Sequence, residues 1–177
     1  AGCDGVKLEW KAGIEDVARA IIDAGIPVMG HVGLTPQTAA SEGGFGMRGK
    51  EAEAAARIVT QALALEEVGC FAMVVECVPD LVAQEITQRL RIPTIGIGSG
   101  PWCDGQVLVT YDLIGLFERF TPRFVKRYAE TASIIRRAVA AYVHEVKAGV
   151  FPGPEHTTSM ATEEAERFAI ENRKSKI

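Results

Sequence analysis

The stretch at residues 72–79, A-M-V-V-E-C-V-P, constrains this chain more than any other. It is a continuous apolar, strand-forming run that holds one carboxylate, Glu76, near its C-terminal end. A parallel strand covered by helices reads as such a run rather than as an alternation of polar and apolar residues. An ionised carboxylate there is costly unless it is paired, hydrogen-bonded or facing a site. Similar runs occur at 6–9 (V-K-L-E), 26–34 (I-P-V-M-G-H-V-G-L) and 93–100 (P-T-I-G-I-G-S-G). Lys7, Glu9, His31 and Glu76 thus fall on apolar strands or at their C-terminal ends. One such residue is usually a satisfied core polar group; a set on successive strands favours an active site.

Between these runs the periodicity is helical. Residues 14–24 place Ile14, Val17, Ala18, Ile21 and Ile22 on one face, with Gly25 as the C-cap. The strand at 26–30 begins with a tolerated proline, Pro27. Residues 33–49 form a long Gly-rich loop, of the kind that is often functional in compact domains. Helices are predicted at 50–68 and at 80–91, the latter turning Leu81, Val82, Ile86 and Leu90 to the core, with strands at 71–78, 93–97 and 107–111. The longest helix is predicted at 121–146. Tyr128, Ile135 and Tyr142, and Val125, Ala132, Val139 and Val146, recur at seven-residue spacing there, a stripe that suits core or subunit packing. An ordered turn at 151–157 and a polar helix at 162–172 follow, and the last residues are expected to fray.

Strands alternating with helices imply an α/β fold with a parallel sheet. Functional groups at successive strand ends fit the mouth of a (β/α) barrel, and an open doubly wound sheet is the alternative. A complete eight-stranded barrel needs about 250 residues; five strands are predicted in these 177. The opening A-G-C-D-G reads as the loop before a strand, so an upstream part, and with it any targeting peptide, is expected to precede Ala1.

At 47% hydrophobic and 24% charged, the chain fits a soluble domain with a real core. Its apolar runs are too short for a membrane span. A net charge of −4, with a basic run only at 173–176, argues against nucleic acid as a partner. Cys3, Cys70, Cys77 and Cys103 have neither C-x-x-C nor zinc-finger spacing. The apolar neighbours of Cys70 and Cys77 indicate buried thiols and a reducing compartment.

Lys7 and Glu9 are two apart on a strand and share a face. A carboxylate suits a hard cation such as Mg²⁺, which takes one or two protein carboxylates and keeps room for substrate and water. The neighbouring lysine can hold a substrate carboxylate; a plain Lys–Glu ion pair explains the spacing equally well. Burial moves a carboxyl group toward a neutral pKa, so a carboxylate placed as Glu76 is a candidate general base. His31 can donate to a substrate oxygen or share a proton. His144 reads as surface or packing, and His156, after Glu155 in a Pro-Gly turn, as part of a lid. Ser41, Ser99 and Ser159 show no serine-hydrolase arrangement. Together these groups suit proton abstraction beside a carbonyl, with a metal stabilising the enolate.

The blocks G-V-K-L-E, G-I-P-V-M-G-H-V-G-L-T-P-Q, V-V-E-C-V-P, I-P-T-I-G-I-G-S-G, C-D-G-Q-V-L-V, F-V-K-R-Y and F-P-G-P-E-H occur in an order that resembles the ketopantoate hydroxymethyltransferase family over residues 1–159. That resemblance implies a (β/α)₈ TIM barrel of the pyruvate/phosphoenolpyruvate-utilising type, here without its N-terminal strands, so that residues 1–159 form a partial barrel of about five strands; the residues beyond, 160–177, read as a C-terminal helix and tail. It implies transfer of a one-carbon unit from 5,10-methylenetetrahydrofolate to 3-methyl-2-oxobutanoate, giving 2-dehydropantoate in pantothenate synthesis. By the same resemblance Lys7 and His31 are substrate-binding, Glu9 belongs to the Mg²⁺ site, and Glu76 accepts the proton. It further implies a homo-oligomer, commonly decameric, in the cytoplasm, or in the mitochondrion of a eukaryote.

Two departures stand out. The family's strand continues V-K-L-E-G-G, whereas Trp10, Lys11 and Ala12 follow Glu9 here, so the indole is expected to narrow the site or alter the loop. The family's two metal-binding aspartates and a substrate-binding serine are expected upstream of Ala1, which leaves this chain with part of the site. Two other readings are a lyase or mutase of the same barrel superfamily, acting on a keto acid or a phosphoenolpyruvate-like substrate, and a non-catalytic barrel remnant.

Overall fold

A computed structural model describes residues 2–40 and 44–174. Ser41 and the predicted fraying of the final residues fall outside the described residues. The chain divides into two compact units, Ala1–Ala129 and Glu130–Ile177.

In the first unit the elements run β1 (Val6–Glu9), α1 (Ile14–Asp23), β2 (Val28–Gly33), α2 (Ala52–Glu67), β3 (Ala72–Glu76), α3 (Asp80–Arg89), β4 (Thr94–Ile97), β5 (Gly105–Gln106) and α4 (Thr110–Leu113). The strands are all parallel and pair in chain order, β1-β2-β3-β4-β5, without a reversal. Parallel strands that pair in chain order, with crossovers of one hand as the rule, return each helix to the same side. One core therefore joins Ile14 and Ala18 of α1, Ile58, Ala62 and Leu65 of α2, and Val82, Ala83 and Ile86 of α3 to Val28, Val32, Met73 and Val75 of the sheet. Burying a Val, Leu or Met side chain is worth roughly 1.5–3 kcal/mol each. Gly30 lets α2 approach closely, because a Cβ there would lie 2.8 Å from Met73 Cε and 3.1 Å from Leu65 Cδ1.

Polar side chains fasten the entry to β4. Glu66 Oε1 accepts from Arg91 N (2.6 Å) and Ile92 N (3.2 Å). Asp104 Oδ2 accepts from Thr94 N (2.8 Å) and Thr94 Oγ1 (3.0 Å). These two bonds hold the Asp104 carboxyl below its ordinary range.

Three expectations are corrected. The fifth strand is Gly105–Gln106, not 107–111. The Asp104–Thr94 clasp sets Gly105 against Ile95 and Gln106 against Gly96, and the bond from Val107 N to Gly96 O at 3.0 Å follows that last pair. Val107, Leu108 and Val109 instead line the helix-free face of the sheet, and Thr110 starts a helical turn. The long helix α5 spans Thr131–Lys147 rather than 121–146. Residues 121–130 are held otherwise: Tyr128 N donates to Leu113 O at 2.8 Å, and Arg127 NH2 to Phe117 O at 3.0 Å. Val125 and Tyr128 therefore leave the heptad stripe, and Ile135, Val139, Tyr142 and Val146 on α5 are exposed. Finally, Val17 and Leu81 face outward, at 45% and 70% exposure, since α1 and α3 turn Ile14 and Ala18, and Val82, Ala83 and Ile86, to the core.

The second unit holds α5, a 3-10 turn (Pro154–His156) and α6 (Thr162–Lys174). Phe151 packs on Tyr142 and His156, with ring centroids 5.5 and 5.1 Å away. No helix among the described residues is long and apolar enough to cross a membrane.

Two predictions follow from these contacts. Gly33 has φ +94°, and a Cβ there would collide with the Glu76 carbonyl oxygen. Left-handed backbone alone costs an L-residue about 1–2 kcal/mol, so Gly33→Ala should lower stability by at least that much in urea melts. Asp104, with its depressed pKa, should contribute stability above the usual aspartate value of about 3.9 and lose it as pH falls through its lower folded value. Denaturation midpoints of wild type and Asp104→Asn should differ at pH 7 and converge in acid.

Candidate active site

The helices cover one face of the sheet; the opposite face carries the ionisable residues. Register sets Glu9 beside His31, His31 beside Val74, and Glu76 between Gly33 and Ile97. Since side chains alternate along a strand, Lys7, Glu9, Met29, His31, Val74, Glu76, Ile95 and Ile97 all point to this face. All of them but Glu9 line a cavity of about 550 Å³, together with residues 106–109.

The four residues singled out in the sequence meet here. His31 is buried, at 2% exposure, between β1 and β3. Lys7 Nζ lies 2.9 Å from His31 Nδ1 and 3.7 Å from Glu9 Oε1. Glu9 Oε1 is 3.8 Å from His31 Nδ1. On the other side of the ring, Nε2 lies 3.1 Å from Glu76 Oε2. That contact is close but lacks hydrogen-bond alignment, so Nε2 is a buried polar atom without a hydrogen-bond partner. Chemically, this is a cation, an imidazole and two carboxylates gathered on an otherwise apolar wall.

The backbone around Glu76 is pinned from three sides. Its carbonyl accepts from Leu34 N at 2.8 Å, the next amide, Cys77 N, donates to Ile97 O at 2.8 Å, and Arg48 N donates to Cys77 O at 2.8 Å. Cys77 itself adopts φ 48°, which is uncommon for a non-glycine residue. Such strained positions concentrate where a side chain must be aimed. Burial, reinforced by the Glu76 charge and opposed by Arg48, pushes the Cys77 thiol up to about 11, so it is not a thiolate nucleophile at neutral pH. All the cysteines are free, with Cys3 exposed and Cys70, Cys77 and Cys103 buried.

The Gly-rich loop contributes residues that the sequence did not single out. Gln37 N donates to Glu9 Oε2 at 3.0 Å, and Arg48 reaches Cys77 as above. Gln37 lies within the quoted T-P-Q block, but a backbone donor leaves no mark in residue type. Trp10 borders a pocket that it shares with Glu9, Gln37 and Thr38, and another lined by Gly33, Thr35, Arg48 and Gly49 of the loop. It packs with the core on the helix side, while Trp10 N donates to His31 O at 2.8 Å.

Outside this face, His144 is exposed on α5. His156 Nδ1 accepts from Gly153 N at 3.3 Å, so the ring fastens its own turn. Ser99 is buried, with Oγ 3.9 Å from Cys103 Sγ.

For a divalent cation, Glu9 is a suitable oxygen donor. Mg²⁺ uses one or two carboxylates and fills its shell with water and substrate oxygens. Among the described residues, however, no group of three or more His, Cys, Asp or Glu side chains could hold a metal ion. The donor set here fits one ligand of a Mg²⁺ site, not a whole site.

Fold and site define an α/β protein with a parallel sheet whose strand ends carry a polar cluster on an apolar face. The chain belongs to the ketopantoate hydroxymethyltransferase family, whose model matches residues 1–154. Its relatives include 3-methyl-2-oxobutanoate hydroxymethyltransferases of Nitratidesulfovibrio vulgaris (54% identical, 95% of this chain and 55% of the relative), Heliobacterium modesticaldum (55%, 92% and 59%) and Syntrophobacter fumaroxidans (48%, 98% and 62%). The chain thus spans a little over half the length of these curated relatives.

Proposed function

We propose that the protein carrying this chain transfers a hydroxymethyl group from 5,10-methylenetetrahydrofolate to 3-methyl-2-oxobutanoate, giving 2-dehydropantoate, with Glu76 as the proton acceptor. The observation that carries this reading is the Glu76 carboxylate, last on its strand, 16% exposed and 3.1 Å from His31 Nε2, on the apolar face shared with Lys7 and Glu9. The relatives bear the name of this activity. The sequential parallel strands, with helices on one side only, support a (β/α)₈ barrel of the pyruvate/phosphoenolpyruvate-utilising type; a doubly wound sheet reverses its strand order.

Each residue then has a task. Glu76 takes the proton from C3 of the keto acid, and the carbon left electron-rich forms a bond to the one-carbon unit, whose bonds to folate nitrogen break to leave tetrahydrofolate while a water molecule supplies the hydroxyl oxygen. Pinned backbone on both sides of Glu76 fixes where its oxygens sit, as general-base geometry requires. Lys7, 43% exposed at its side chain, reaches open space and can hold the substrate carboxylate. Buried His31 can donate to a substrate oxygen. The apolar wall of Val74, Ile95 and Ile97 keeps water from competing for the same groups. Bound Mg²⁺ would supply Lewis-acid polarisation of the keto oxygen, and Glu9 is the residue here that would help hold it. A homo-oligomer belongs to the same reading; the exposed apolar stripe of α5 supports it.

Two measurements test these roles in the intact enzyme. Glu76→Gln should keep the fold and slow deuterium exchange at C3 of the keto acid, without folate, by about 10²–10⁴-fold; exchange at the wild-type rate removes Glu76 as the base. Glu9→Ala should raise the Mg²⁺ concentration needed for half-maximal turnover, and an unaltered Mg²⁺ titration would take Glu9 out of the metal site.

A further inference from the structure

We propose that Lys7 is a positioning residue for His31: its ammonium holds the imidazole in the tautomer that carries hydrogen on Nε2. The use of that tautomer in catalysis rests on the reading above; the tautomer itself does not.

An ammonium has three donors and no acceptor, whereas the two nitrogens of a neutral imidazole divide into one donor and one acceptor. With Lys7 Nζ 2.9 Å from Nδ1, the Lys7 ammonium donates and Nδ1 must present its lone pair. The ring hydrogen is then on Nε2. The opposite tautomer would set an N–H against an N⁺–H at that distance. Glu9 keeps the arrangement in place, since its Oε1 lies 3.7 Å from the ammonium and draws it toward the ring. These groups reach His31 from two strands: Lys7 and Glu9 from β1, Glu76 from β3.

The consequence appears at the far nitrogen. Nε2 is buried and without an aligned partner, although Glu76 Oε2 is 3.1 Å away. A buried donor left unmatched is costly and rare in folded proteins. It is matched once an oxygen acceptor enters beside it, or once the Glu76 carboxylate turns into line. Lys7 thereby makes the wall next to Glu76 a donor rather than an acceptor. With hydrogen on Nδ1 instead, Nε2 would turn its lone pair toward the carboxylate and repel both it and a substrate oxygen. The tautomer of a functional histidine is generally set by the partner of its other nitrogen; here that partner is a lysine ammonium.

The test needs no substrate and no metal. Nitrogen-15 NMR of the His31 ring in the intact protein, at a pH where imidazoles are neutral, should show Nδ1 as the unprotonated nitrogen and Nε2 as the protonated one. Lys7→Met keeps the length of the side chain and removes the donor; its two ring signals should move toward each other as the tautomers mix. Lys7→Arg restores a donor and should return the wild-type pattern. A wild-type ring protonated at Nδ1, or a Lys7→Met spectrum identical to wild type, overturns the proposal. If Lys7→Met does not fold, the wild-type assignment and the Lys7→Arg spectrum decide it. Because the spectra are read without turnover, loss of hydroxymethyl transfer and loss of the tautomer are separate results.

Discussion

A buried imidazole between a cation and two carboxylates is the interaction on which the candidate site depends. His31 sits in the middle strand of three, so its ring spans the distance between groups on β1 and β3 that do not touch each other directly. In a low-dielectric wall each of these charges would be expensive alone. Gathered around one ring, Lys7, Glu9 and Glu76 offset one another, and the ring converts their separate positions into one connected arrangement. Removing the imidazole would therefore leave several groups unmatched, not one.

The sheet makes that arrangement possible by being covered unevenly. All three crossover helices pack on one side, where Val, Leu, Ile and Met side chains form the core. The other side carries Lys7, His31 and Glu76 along the cavity, with Glu9 beside Lys7 and His31. Pleating keeps the two sets apart: neighbours such as Val75 and Glu76 differ by one residue and face opposite ways. The same alternation sends Trp10 to the core side while Glu9 beside it faces the site. What sharpens the placement is backbone chemistry at the strand ends. Gly33 lies so close to the Glu76 carbonyl that a side chain could not be accommodated, and Cys77 accepts a left-handed turn just after the carboxylate.

Much of this was legible from residue order. Continuous apolar runs broken by 3.6-residue periodicity gave parallel strands and their crossover helices, because buried strands and amphipathic helices impose different hydrophobic periods. The helix end at Gly25 was readable because left-handed backbone selects glycine, and its φ is positive. Less readable were elements decided by contacts distant in sequence. V-L-V at 107–109 has strand composition, yet the register that Asp104 sets by binding Thr94 has Gln106 against Gly96 as its last pair. Heptad spacing extended the long helix back past Thr131, yet bonds from Arg127 and Tyr128 to residues 113–121 hold that segment in another form.

The division at the site has the same cause. Sequence alone determined which side chains carry chemistry and that Lys7 and Glu9 share a face, since both follow from residue type and a two-residue repeat. It also carried the family, because ordered blocks of residues survive as text. Only the tertiary structure decided that Lys7 meets His31 at Nδ1, that Nε2 turns toward Glu76, and that Gln37 holds Glu9 from a loop 28 positions away. Those contacts depend on strand register and on how a loop folds back, and both are set by the packing of elements far apart in the chain, which local pattern does not encode.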